Sequence, residues 1–433
     1  PPYANYLNLT PMKTKLASIL AAALAFTLAA TAPSVRAVEV APGFLADRGA
    51  SAALASLPAD PADAAANVVF TRATLEFLAA VESLGRDFYS MGLQFDAGRS
   101  LPVPFLRMRI PVHPDPRPAT AADVRRALDA FHARLAAIDA RLAPIEGREF
   151  TVIFPLGAAG FDFVGADNPA DRVAFGPFFA GIANNARAAA GDPAADPARA
   201  GDLVVAFDQT DALWLRAYTH LLRGLADVLL AHDGGELFDA TGHLYFARAD
   251  TAFARALAAH PGETSRRGYD SGQIADLIAT IHGIDLVVSE PARLARARVE
   301  LLEMIRLSRV TLASAAAETD DDREWLPGPA QNSVFNLRLS AEQTAAWSGV
   351  LAEIEALLTG EKLLPHWRFP AGNFGLNLRR VFEESRHTDL IGLVQGAAAV
   401  PYLESGPTTS QATWRELTRV FGGNFLGYAL WIN

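Results

Sequence analysis

TAADVRRALDAFHARLAAIDARL, residues 120–142, is the stretch whose reading decides the fold. Val124, Leu128, Phe131, Leu135, Ile138 and Leu142 recur at alternating steps of four and three, which on a 3.6-residue turn places all six on one face. Arg125, Arg126, Asp129, Arg134 and Arg141 fall elsewhere on the wheel, and Thr120 stands where a capping hydroxyl belongs, with Asp123 in the first turn. The spacing predicts an amphipathic helix over 120–142. Over only three heptads, such a stripe reads as a face turned to a core rather than as a zipper for a partner.

Helical spacing continues outward from this segment. It recurs at 71–89 (Leu75, Leu78, Val81, Leu84, Phe88), at 291–316 (Leu294, Leu301, Leu302, Ile305) and at 340–358 (Trp347, Leu351, Ile354, Leu358). Strand-like runs are few and short: 150–154, 203–207 and 425–432. The expected fold is therefore mainly α, a multi-helix globular bundle with a few short strands. The stretch AAAGDPAADPARAG, 188–201, carries two Asp-Pro pairs and no large apolar side chain, so it reads as a linker between helical lobes at 38–190 and 202–433, unless the two form one continuous domain. All six tryptophans follow it, which places the larger core in the second half by expectation. No repeat of fixed period is visible.

Residues 12–37 have the layout of a secretory signal peptide. Met12, Lys13 and Lys15 form a positive start, 16–28 is an almost unbroken apolar run, and Val35-Arg36-Ala37 presents a cleavable site. The apolar run is short for a bilayer span. Residues 1–11 precede Met12 and read as upstream sequence outside the native protein. Export to the periplasm or the extracellular space is the resulting expectation.

The full chain of 433 residues has a formal charge of −10. Residues 1–37 contain three cations and no acid, so the remainder is more acidic still. That sign argues against nucleic acid and anionic membrane surfaces as partners, and no second apolar run suits stable membrane insertion. The absence of cysteine excludes disulfides, thiolate metal sites and a cysteine nucleophile. Lysine occurs only at 13, 15 and 362, an arginine bias that reads as the coding habit of a GC-rich bacterial genome.

Four groups of residues offer chemistry. Arg216, His220, Arg223 and Asp227 follow one another at steps of four, three and four, and so form a polar seam on an otherwise apolar helix that begins after Asp208 and Asp211. If that helix is buried, the seam must either border a wet pocket or bond to acids of another segment, with Asp208 and Asp211 as local candidates. The bland alternative is a solvated edge with Arg223 and Asp227 paired. His232, Asp233, Glu236, Asp239 and His243 bring imidazole and carboxylate within twelve residues, the donors a divalent metal prefers, but without the His-x-x-x-His spacing of a zinc helix. Trp367, Arg368, Arg379, Arg380, Glu383 and Glu384 combine stacking with bidentate donors suited to a carboxylate or sugar, or simply to one another. The run ETDDDRE, 318–324, concentrates carboxylates and reads as a solvated turn before it reads as an ion site. Asp162, Asp167, Asn168 and Asp171 have the donors of a calcium loop but not its order. No nucleophile elbow, Walker loop or dinucleotide fingerprint occurs.

The segments FDQTDALWLRAYTHLLRGLADVLLAHDGGELFD (207–239), ETDDDREWLPGPAQ (318–331), NLRRVFEESRHTDLIGLVQGAAAVPYLESG (377–406) and FGGNFLGYALWIN (421–433) resemble a family of exported bacterial proteins without an assigned activity. The likeness runs through most of the chain after the signal segment and is strongest after residue 200. It implies a shared fold and export. In such relatives the region equivalent to 161–171 looks like an acidic calcium-type loop, from which this chain departs.

Two functional readings follow. The first is an exported, helical binding or envelope-associated module whose ligand meets Arg216, His220, Asp227, Arg379 and Arg380. The second is an exported metal-dependent hydrolase, with His232 and His243 as ligands, Asp233 or Asp239 as a third, and Glu236 as general base.

Overall fold

The computed structural model describes residues 38–40, 44, 49–61, 63–94, 110–166, 168, 171–176, 203–260, 271–335, 338–369, 373–410, 415 and 419–420. The signal segment, the candidate linker at 188–201, Asp167 and the candidate strand at 425–432 lie outside the described residues.

Eleven α-helices and nine short strands are present among those residues. In chain order they are β1 (Val38–Glu39), α1 (Ala50–Ala55), α2 (Ala66–Ser90), α3 (Ala121–Leu142), β2 (Val152–Phe154), β3 (Gly160–Phe161), β4 (Val173–Ala174), β5 (Val205–Phe207), α4 (Gln209–Leu230) and α5 (Gly235–Tyr245). There follow α6 (Ala252–Ala259), α7 (Ser271–Gly283), β6 (Asp285–Val287), α8 (Pro291–Ala317), α9 (Ala341–Thr359), β7 (Phe374–Leu376), α10 (Leu378–Glu384), β8 (His387–Asp389), α11 (Leu390–Gln395) and β9 (Leu403–Ser405). The fold is mainly α.

The decisive stretch behaves as its periodicity requires. Thr120 accepts a bond from the Asp123 amide at 3.1 Å, and the Asp123 carboxylate returns one from the Thr120 amide at 3.0 Å. This reciprocal cap satisfies two backbone donors that α3 would otherwise leave open. Phe131, Leu135, Ile138 and Leu142 from its stripe are buried. At one end of the chain's helical series, α2 packs on α3, and α3 packs on α4; the most extensive pairing is between α4 and α8.

Helices from both sides of 188–201 thus share a single continuous core, which gathers residues from Ala50 to Leu358. Phe70, Phe131, Phe154, Phe161 and Phe163 are fully enclosed in it on one side of that stretch, and Leu213, Ile305, Leu307 and Leu351 on the other. The tryptophans do not mark its centre. An indole is large and carries an N–H that needs a partner, so it settles at the edge of a core more readily than a phenyl ring or an aliphatic chain does. Trp325 and Trp347 are buried, whereas Trp367 is 64% exposed.

The strands make small sheets. β2 pairs in parallel with β1 and antiparallel with β5, in the register Val152 to Phe207, Ile153 to Ala206 and Phe154 to Val205. Because side chains alternate along a strand, Val205 and Phe207 turn to one side while Ala206 and the following Asp208 turn to the other. No helix among the described residues is long and apolar enough to cross a membrane.

Candidate functional site

At the end of β5 the chain turns into α4 through Asp208. The Asp208 carboxylate accepts bonds from the Thr210 amide at 2.7 Å and the Asp211 amide at 3.4 Å, and Asp211 Oδ2 accepts one from the Asp208 amide at 3.0 Å. This is a capping box built from two acids, and the positive end of the helix favours them. The C-terminal turn of α8 lies beside it and delivers Ser314 and then the 318–324 loop. Thr210 Oγ1 donates within reach of Glu318 and of Ser314 Oγ, the latter at 2.7 Å, and so ties the two segments together.

These segments border a half-open cavity of about 280 Å³ lined by Glu149, Asp208, Glu318, Asp320, Asp322 and Glu324, of which Glu149, Asp320 and Asp322 are exposed, with Thr151, Gln209, Thr210 and Ser314 as the remaining polar side chains. Among the described residues no basic side chain lines it. The nearest guanidinium in sequence, Arg323, is largely exposed and stands 3.8 Å from Asp322. Arg323 has φ 66, the one positive value at a non-glycine residue among those described. An L-residue pays for that left-handed conformation, and here it sets Asp322 and Glu324, one on either side, against the same cavity.

Carboxylates gathered without counter-charge resist ionisation. Burial, then the charge of Glu318, raises Asp208 to about 7. Burial and the adjacent Asp208 push Asp211 well above the usual carboxylate range. Burial is again the main cause at Glu324, raised to about 7 with repulsion from Glu318, Asp320 and Asp321 adding to it. A bond from the Asp322 amide at 3.0 Å only partly offsets this.

The seam on α4 has a different fate. Arg216, His220, Arg223 and Asp227 all bond to residues beyond α4 rather than to Asp208 or Asp211 at the start of that helix. Arg216 Nε meets Asp139 at 2.9 Å, and its other arm meets Glu146. His220 stands between two acids, with Nδ1 2.5 Å from Glu300 and Nε2 3.3 Å from Asp139. Arg223 reaches Glu300 at 2.5 Å rather than Asp227. Asp227 is fully enclosed and takes Arg296 through both oxygens at 2.6 and 2.7 Å, with His132 at 3.2 Å and Arg293 at 3.3 Å. Burial alone would raise Asp139, but bonds from His220 and Arg216 outweigh it and bring the carboxyl to about 2. Burial would lower His220, yet the two acids at its ring reverse that and raise it. The seam is an ion-paired clamp joining α3, α4 and α8.

The other candidates are likewise engaged within the chain. Arg379 pairs with Glu383 at 3.2 Å, and Arg380 with Glu384 at 2.8 Å and Glu404 at 3.0 Å. Trp367 donates to the Val394 carbonyl at 2.8 Å with Arg368 over its ring. Both ring nitrogens of His232 are taken, Nδ1 by the Val228 carbonyl at 2.6 Å and Nε2 by Thr388 Oγ1 at 2.8 Å. Asp233 accepts from the Gly235 amide at 3.0 Å, and His243 turns to Asp276 at 3.5 Å. His232, Asp233, Glu236, Asp239 and His243 therefore do not converge: α5 opens between the two imidazoles and carries His243 toward α7. Among the described residues no group of three or more acids and histidines is spaced to hold one metal ion. Asp162 caps its own turn through the Gly165 amide at 2.8 Å and pairs with Arg86 at 3.2 Å, and Asn168 donates to Asp171 at 2.9 Å.

Sequence reasoning singled out 318–324 and Asp208 separately but had no means of joining them, and it did not mark Glu149 at all. The available signal was the pairing of two acids at Asp208 and Asp211, more negative charge than one helix cap requires. No protein-family model, curated protein or solved structure matches the chain, so its function rests on the chemistry of these residues.

Proposed function

We propose that this chain is an exported binding module whose ligand is an organic polycation, held in the acidic cavity between the start of α4 and the 318–324 loop. The observation that carries the reading is the one-signed lining: six carboxyl side chains and, among the described residues, no cation around about 280 Å³. Two of these groups, Asp208 and Glu324, are pushed to about 7 by burial and by like charge, and a bound cation would relieve both. The carboxyls surround the space rather than meeting at a point, which suits several separated ammonium groups better than one metal ion. Support for export comes from residues 12–37 and from the resemblance to exported bacterial proteins. The hydrolase reading finds no support in the placement of His232 and His243.

The test is calorimetric titration of the protein with spermidine at pH 8, with magnesium chloride as a divalent control and in a series of sodium chloride concentrations. Saturable spermidine binding that weakens with salt and again at pH 5.5, where Asp208 and Glu324 hold their protons, is the expected result. Absence of spermidine binding at low salt, or equal binding of magnesium, would overturn it.

A further inference from the structure

The helix α7 is built inside out. Its polar side turns toward α5, where Asp276 stands 3.5 Å from His243 and Gly283 sits so close to Leu237 that a Cβ would come within 2.8 Å of that side chain. Ile274, Leu277, Ile278 and Ile281, spaced by three, one and three, share the opposite side, and all four are exposed, Leu277 by 60%. The neighbouring α6 adds Phe253 and Leu257, one turn apart and each more than 40% exposed. No side chain of α6 is buried, and none of those described on α7 is. Both helices lean on α5. His243 touches the two of them, Asp276 through Nε2 and Phe253 edge to face at 5.0 Å between centroids, which sets α6 and α7 side by side.

We propose that this face docks a second copy of the chain, the α6 and α7 surfaces of two protomers meeting across a two-fold axis. A short helix is marginal in water unless an apolar side is packed, and here that side faces outward. Area supports the occupant. With the exposed alanines beside them, the six side chains offer roughly 700 Å², above the roughly 300–600 Å² of the largest patch on an ordinary monomer and close to the ~800 Å² each partner gives to a stable interface. Charge narrows the choice further. Besides His282, the two helices carry one cation and one acid, and each is matched within the chain, Arg255 by Asp250 at 3.3 Å and Asp276 by His243. The chain bears a formal charge of −10, so two copies repel over most of their surfaces and close most readily on a neutral one. A two-fold contact also needs a patch that complements itself, which an uncharged aliphatic surface does. A helix that lies on a lipid surface surrounds its apolar face with lysine and arginine, and Arg255 alone does not supply that border. The inference stands apart from the polycation reading, because no residue of α6 or α7 lines the acidic cavity.

The test is sedimentation velocity of the purified protein from submicromolar to tens of micromolar concentration. The mass should rise from one chain to two and stop there. Leu277→Glu combined with Ile278→Glu should raise the dissociation constant at least tenfold. Both positions are exposed, so the helical circular dichroism should stay as in the parent. Val299→Glu replaces an equally exposed apolar residue on α8, which packs on α4, and should leave the association unchanged. A mass that stays at one chain or climbs past two, a dimer that persists in the double variant, or an equal loss in Val299→Glu would each overturn the proposal. A one-chain mass together with flotation on phosphatidylcholine vesicles would overturn it in favour of a lipid surface. The outcomes read from mass and flotation need no variant, so the proposal is open to refutation even if the double variant fails to fold.

Discussion

Asp139 and Asp208 are the same residue in opposite circumstances. Asp139, on α3, is drawn down to about 2 because His220 and Arg216 of α4 reach across to it. Asp208, at the start of the same α4, is raised to about 7 because burial is compounded by Glu318 and no cation answers. One helix thus joins a region where every charge has been matched to a region where acids accumulate unmatched. Matching serves cohesion, since buried ions are tolerated only with partners. The unmatched cluster works against cohesion, and a feature that costs stability invites a reading in which a ligand completes it.

The largest effect expected from breaking the matched side is at Asp227. Asp227→Ala leaves Arg293 and Arg296 without their shared enclosed partner and should lower stability by about 3 kcal/mol, the lower end for a broken buried pair because both guanidiniums keep some contact with water; urea unfolding measures it. His220→Ala removes the imidazole between Asp139 and Glu300 and should cost about 2 kcal/mol, in the range for hydrogen bonds to charged groups. On the unmatched side the sign reverses. Asp208→Asn keeps a good capping residue and removes a repelled charge, so it should raise stability at pH 8 by about 1 kcal/mol.

The pH dependence sharpens the same contrast. The folded chain holds protons on Asp208 and Glu324 up to about 7, while an unfolded carboxyl ionises near 4. His220, also raised, adds stability that is complete below its unfolded value near 6.5 and is lost as pH rises through its folded value. Between pH 5 and pH 8 stability should therefore fall, and the fall should be shallower in the Asp208→Asn and Glu324→Gln variants. The opposite trend belongs to Asp139, whose contribution is present above 4 and is lost only as pH drops toward 2. A urea midpoint that rises from pH 5 to pH 8 would contradict the burial of these protons.

The helices were legible in the sequence because their evidence is local. The rhythm of 120–142 and the Thr120 and Asp123 pair carry the fold class within one segment; 71–89 and 291–316 lie within helices of the structure, and 340–358 runs from the N-cap Ser340 into α9. The seam was legible in outline, since four polar residues on one face of a helix with Trp, Tyr and Leu had to find partners. Which partners was not legible. Asp139 and Glu300 are 81 and 80 residues from His220, and only the packing of α3 and α8 on α4 brings them there. The acidic cavity was hidden for the same reason, because Glu149, Asp208 and the 318–324 loop meet through the sheet register and the end of α8. Local density misled at His232 to His243, where an intervening helix separates what the sequence crowds together.

The most direct measurement compares Glu300→Gln and Glu318→Gln, one charge removed from each region, by spermidine titration and thermal unfolding of the same samples. The account predicts that Glu300→Gln melts earlier yet binds spermidine as the parent does, while Glu318→Gln melts no earlier and binds at least several-fold more weakly. Unchanged spermidine binding in Glu318→Gln, or a loss of binding in a folded Glu300→Gln protein, would contradict it.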